Sequence, residues 1–138
     1  MVNPNLIHLI DITAVQDFLQ VDASIASENP LMKVAQKVQH DLDQQLVKVT
    51  LQITLSTSNE LRASLLYDFV YKVENLPDFI VDKDEKTVFT AQFIGTLLGI
   101  SYSTMRGIFY QKFKELNIPE ILLPVLNPND LLKMGMES

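Results

Sequence analysis

Side chains able to do chemistry are few in this sequence, and their spacing suits none of the familiar reactions. The two histidines, His8 and His40, each stand in or beside a strand-like segment, with no neighbouring acid at metal-ligand spacing. They read as ordinary surface or half-buried residues. Cysteine is absent, which rules out disulfides and thiolate metal sites and fits a reducing compartment. No phosphate-cradling glycine loop, dinucleotide fingerprint or nucleophile elbow occurs. An enzyme reading therefore fails for want of parts: no catalytic, cofactor-binding or metal residue can be named, and no cofactor is implied. Gly95-Thr96-Leu97-Leu98-Gly99 has the spacing of a membrane dimerisation motif, but in an amphipathic helix it reads as close packing. The run Asp82-Lys83-Asp84-Glu85 reads as a solvated loop, with a docking site for a cationic partner as the sharper alternative.

Composition narrows the class further. The net charge of −6 argues against nucleic acid, because no cluster of Lys and Arg could neutralise a row of phosphates. It suits polypeptide partners that carry positive charge. With 47% hydrophobic and 20% charged residues the chain is ordinary globular material. No apolar run approaches the ~18 residues of a spanning helix, so no membrane insertion is expected. The start, MVNPNLIHLID, has neither a basic region nor a small-residue cleavage site, and a cytoplasmic protein is expected. The 138 residues read as one domain, 1–138, able to bury roughly two-thirds of the unfolded surface.

The elements follow from periodicity. In 44–56, Val47, Val49, Leu51, Ile53 and Leu55 alternate with Lys48, Thr50, Gln52 and Thr54, a period of two with a dry and a wet face. After the break Thr57-Ser58-Asn59-Glu60, residues 61–74 put Leu65, Tyr67, Phe69, Tyr71 and Val73 on one face, while Leu66 and Val70 leave the other half polar. So short a break between two strands predicts a hairpin. Residues 6–13, LIHLIDIT, are strand-like with two apolar faces; residues 30–39, PLMKVAQKVQ, fit either a strand or an amphipathic helix. From Thr87 to Leu116 apolar residues recur at three and four spacings, which predicts a long helix capped by Thr87 or Thr90 and stopped before Pro119. Asn127-Pro128-Asn129-Asp130 predicts a short last helix over 128–135. Strands first and helices last indicate an α+β fold with an antiparallel sheet.

Two helices cannot easily cover two apolar sheet faces. Tyr67, Phe69 and Tyr71 are either the core face under the long helix or part of an open apolar groove. The stretch NIPEILLPVLNPNDLL, 117–132, is also too apolar for a flexible tail, and its Pro119, Pro124 and Pro128 forbid one long helix.

In segment order and in this proline-rich stretch the chain resembles the SecB-type protein-export chaperones. Ile7-His8-Leu9-Ile10-Asp11-Ile12-Thr13 matches that family's first-strand pattern, and Asn29-Pro30-Leu31-Met32-Lys33-Val34 its Pro-started second strand. The hairpin 44–74 corresponds to the third and fourth strands, and Leu97-Leu98-Gly99 to a Leu-Leu-Gly in the long helix. Ile118-Pro119-Glu120-Ile121-Leu122-Leu123-Pro124-Val125-Leu126-Asn127 is similar to the family's crossover. The chain departs from the family at Ser103-Thr104-Met105-Arg106-Gly107-Ile108, where an aromatic-Pro-aromatic-Ala-Arg-Glu pattern is usual, and at Asn127-Pro128 in place of Asn-Phe.

The resemblance implies a four-stranded antiparallel sheet followed by a long helix, a proline-containing crossover loop and a short C-terminal helix. It implies a chaperone that binds unfolded or partner polypeptides in apolar grooves without ATP, in protein export beside the SecA motor. The alternative is a dedicated partner-binding chaperone or adaptor, such as one associated with a toxin–antitoxin pair. Relatives form tetramers, so a homo-oligomer, dimer or tetramer, is implied, with Val2–Thr13 as a dimer edge. The residues expected to line the client groove are Tyr67, Phe69, Tyr71, Leu122, Leu123, Val125 and Leu126.

Overall fold

A computed structural model of the chain describes residues 2–83, 86–118 and 123–135. Four strands, β1 (Ile7–Leu19), β2 (Leu31–Asp41), β3 (Leu46–Thr57) and β4 (Glu60–Val73), form one antiparallel sheet in the order β1-β4-β3-β2. The alternation in 44–74 becomes the central hairpin, with Val49 opposite Phe69 and Leu51 opposite Tyr67. Its turn places Ser58 at φ 49° and Asn59 at φ 65°. Two positive φ values in a two-residue loop give the turn whose twist matches that of the flanking strands.

Residues 30–39, ambiguous in sequence, form strand β2. Pairing decides what propensity left open, because Val34 and Val38 stand opposite Ile53 and Val49 and share their buried face. The connection from β1 to β2 joins opposite edges of the sheet. It is tied to the central hairpin by Arg62, which donates to the Gln20 carbonyl at 2.9 Å and pairs with Glu28 at 3.0 Å. The fully buried Ile25 plugs that end of the core.

The expected helix start at Thr87 is corrected by the structure. Ile80–Lys83 and Lys86–Phe89 pair as a small hairpin, β5 and β6, and α1 runs Ala91–Glu115. Thr90 is the cap, its hydroxyl accepting from the Phe93 amide at 3.3 Å. The far end needs no proline. Asn117, at φ 55°, turns the chain left-handed, and the amides of Asn117 and Ile118 return to the carbonyls of Lys114 and Phe113. Ile118 is buried by that turn. Pro119 lies outside the described residues.

The last helix, α2, spans Pro128–Leu132 and is shorter than its sequence signal. Asn127 caps it through an oxygen that accepts from the Asp130 amide at 2.9 Å. No helix among the described residues is long and apolar enough to cross a membrane.

The core lies between the sheet and α1. From the sheet come Val49, Leu51, Phe69 and Tyr71; from α1 come Phe93, Leu97, Leu98, Tyr102, Met105 and Phe109. Gly95 is where α2 meets α1, since a Cβ there would lie 3.0 Å from the Pro128 Cβ. Gly95→Val should therefore push α2 away and destabilise the fold by about 2 kcal/mol, the usual range for overpacking. Urea unfolding checks this, and unchanged stability would remove the close contact from the account.

Candidate functional site

The sequence expectation gathered seven residues into one groove, and the structure distributes them between interior and surface. Phe69 is fully buried and Tyr71 nearly so, both against α1 in the same chain. The Tyr71 hydroxyl shares a 2.7 Å hydrogen bond with Ser101, and burial pushes its phenol pKa up, so it stays protonated. Tyr67 is buried, with its hydroxyl 3.5 Å from an Asp17 carboxylate oxygen that also takes Lys112. That hydrogen bond raises the Lys112 pKa above its ordinary value and joins the end of α1 to β1. In the crossover, Leu123 is buried and Leu126 half-buried against the core, whereas Val125 is 79% exposed. Leu122 lies outside the described residues.

The crossover is held by α1. Tyr102 donates to the Pro124 carbonyl at 2.6 Å, and the Arg106 Nε donates to the Leu123 carbonyl at 3.2 Å. Burial raises the Tyr102 pKa, which keeps the donor proton in place. The two side chains are four residues apart and so point the same way from the helix. Their bonds fix the main chain on either side of Pro124 and leave Val125 pointing outward.

Next to the crossover, α2 lies along the edge of β2. Met32, Val34 and Val38 on β2, Leu126 in the crossover, Leu132 on α2 and Met134 beyond it are all half-buried against the core. Gln36 is buried among these apolar side chains. Its side-chain amide reaches the carbonyls of Leu131 and Leu132 at 3.4 and 3.5 Å, and its main-chain amide donates to the Met134 carbonyl at 2.8 Å. The result is a partly filled apolar surface bounded by sheet edge, crossover and last helix.

The opposite edge is barer. On β1, Leu9 and Ile12 stand opposite Tyr71 and Phe69, on the core side, yet are 39% and 42% exposed because α1 does not reach them. Register shifts after Leu9 and Ala14 leave Ile10 and Val15 without partners on β4, and both are more than half exposed. A cleft of about 410 Å³ lies between this edge and α1, lined by Val2, Pro4, Ile7, Gln92, Thr96 and Ile100. The outward side of α1 carries Gly99, Ser103 and Gly107 at four-residue steps; a Cβ at either glycine would meet no described residue within 4 Å.

His8 pairs with Glu74 at 2.9 Å on the surface, and the His40 ring packs edge-on against Phe89. Among the described residues no group of His, Asp and Glu could hold a metal ion.

No protein-family model matches the sequence, and no curated protein matches it. Structure comparison does find similar folds. A Mycobacterium tuberculosis SecB-like chaperone, Rv1957, in complex with a ChAD peptide from the Rv1956 HigA1 antitoxin, superposes with a TM-score of 0.56. The match covers 90% of this chain and 93% of that one, at 12% identity. The fold is SecB-like. Four antiparallel strands, the long helix and the short last helix expected from the sequence are all present, and the likeness spans nearly the whole of both chains. At this identity the likeness is one of fold.

Sequence reasoning missed Gln36, Tyr102 and Arg106. Gln36 had a signal, being the one polar residue in the alternation Met32, Val34, Gln36, Val38. Tyr102 and Arg106 had none, because their partners are main-chain carbonyls in a loop. Tyr102→Phe should cost about 1 kcal/mol and speed amide exchange at Val125 and Leu126. Exchange at the wild-type rate would show that the phenol does not hold the crossover.

Proposed function

We propose that this chain is a SecB-like chaperone that holds unfolded or partner polypeptides on apolar surface without using ATP. The observation that carries the reading is the open apolar surface at both edges of a sheet whose fold is that of a chaperone solved with a bound peptide. Holding needs nothing more than such surface. Each client side chain fully buried contributes about 1.5–3 kcal/mol before the loss of chain entropy is counted. Main-chain bonds are common to all clients, so the grip has low sequence specificity.

The client surface in this reading is the crossover side. Leu123, Val125 and Leu126 supply the groove wall, with Val125 and Leu126 the residues a client meets first. Tyr67, Phe69 and Tyr71 lie in the core beneath α1 and support this surface from inside. The chain acts as a single domain, 1–138, in the cytoplasm.

It also works as a homo-oligomer, dimer or tetramer. The uncovered β1, with Leu9, Ile10, Ile12 and Val15 exposed, suits a second copy better than water. So does the outward side of α1. Each glycine in a helix costs about 1 kcal/mol relative to Ala, and no described residue approaches the Cβ position of Gly99 or Gly107 to explain them. A close-packed neighbouring helix would.

Two biological roles share this physics: a general holdase in export beside the SecA motor, and a dedicated guardian of one partner. The relative that was solved with a peptide from an antitoxin supports the second. Assays of several unrelated denatured proteins separate them, since a general holdase protects all and a guardian protects one.

Val125→Asp combined with Leu126→Ser should weaken binding of an unfolded client at least ten-fold with the fold intact; equal binding would move the client site elsewhere. Gly107→Leu should halve the mass found by light scattering after size exclusion, and a strictly monomeric wild-type chain would overturn the assembly.

A further inference from the structure

The edge of β2 is already in use. The main-chain amide of Gln36 donates outward, away from β3, to the Met134 carbonyl at 2.8 Å, and Gln36 forms a parallel bridge with Gly135. The segment that leaves α2 thus lies against the edge of the sheet through an isolated bridge. A period of two along a strand means that Met32, Val34 and Val38 turn their amides to the same side as Gln36. Among the described residues nothing else pairs with that side of β2.

The hold on this segment is light. Among the described residues one main-chain bond and half-buried Met134 tie it to β2, while the Lys133 and Met134 amides return to the carbonyls of Asp130 and Leu131; the Gln36 side chain adds two long contacts to the neighbouring Leu131 and Leu132. Its surroundings are those of a peptide site: outward amides in a row, with Met32, Val34, Val38, Leu126 and Leu132 beside them to receive alternate side chains of an incoming strand.

We propose that the outer side of β2 is a docking strand for an extended, apolar-rich segment of the partner polypeptide, running parallel to β2, and that Lys133–Gly135 occupy it as a stand-in which the partner displaces. The proposal rests on the polypeptide-holding reading and specifies its main-chain contact. The chain's own segment shows that this edge accepts extended main chain, and in which direction. The occupant gains hydrogen bonds that any sequence can make, while the apolar rim selects for alternating hydrophobic residues.

The test uses reduced, carboxymethylated α-lactalbumin, fluorescently labelled, as a permanently unfolded probe read by anisotropy. A variant ending at Lys133 should bind it about five-fold more tightly than the full chain, because a site that its own segment fills most of the time has its apparent affinity reduced by that fraction. Met134→Asp in the full-length chain should act in the same direction and guards against a truncation that frays α2. Bound probe should also slow amide exchange at Val34, Gln36 and Val38 in the variants. Affinity that is equal to or weaker than wild type in both folded variants would overturn the docking strand, as would exchange at those amides that the probe leaves unchanged. A wild-type chain that does not bind the probe at all would overturn the holding reading itself, and the docking strand with it.

Discussion

The structure depends on a mismatch of widths. Four strands at about 4.8 Å spacing make a sheet nearly 20 Å across, whereas a helix with its side chains covers about 10 Å. α1 is the only long helix among the described residues, and it buries the central hairpin, where Val49, Leu51, Phe69 and Tyr71 lose essentially all contact with water. The edge strands must find cover elsewhere or go without. On the β2 side α2 and the crossover supply part of it. On the β1 side no described residue covers Leu9 and Ile12, which stay largely in water although they face the same way as Phe69 and Tyr71.

The same constraint explains why polar side chains matter where they do. A crossover lying along the margin of the core exposes carbonyls that need partners, and Tyr102 and Arg106 meet those of Pro124 and Leu123. Gln36 does the equivalent task at the sheet edge. It satisfies its own buried amide by reaching back to the last carbonyls of α2, those of Leu131 and Leu132. These three residues tie loop, last helix and edge strand into one surface without filling it with apolar side chains.

Much of this was legible in the sequence, for identifiable reasons. The central strands declared themselves because one face is wholly buried and the other wet, so alternation is strict from Val47 to Leu55. The cap Asn127 was readable because capping is local chemistry, whereas Thr87 and Thr90 carry the same cap signal and only the fold selects Thr90. The small hairpin β5–β6 was not, since Thr87 and Val88 also fit the helical spacing that begins at Ala91, and strand pairing is a tertiary fact. The length of β1 was missed past Thr13 because its two bulges break the period of two twice. In the candidate site, apolar type alone could not separate Phe69, which packs inward, from Val125, which points out. Orientation at the crossover is set by bonds to main-chain carbonyls, and those carry no residue-type signature.

A free sheet edge invites pairing with other chains, and this molecule treats its two edges differently. β1 is long, and its bulges shift its register against β4 at two places. Such an edge has a bent hydrogen-bonding face and favours an occupant of matched shape over an arbitrary one. β2 is regular through all eleven of its residues and keeps step with β3 without a shift. A regular edge is the more permissive template, and it is the one on which the chain lays its own Met134 and Gly135. The irregular edge is thereby suited to a constant neighbour, a second copy of the chain. The regular edge is suited to varied ones, and a lightly held segment of its own keeps it from pairing indiscriminately.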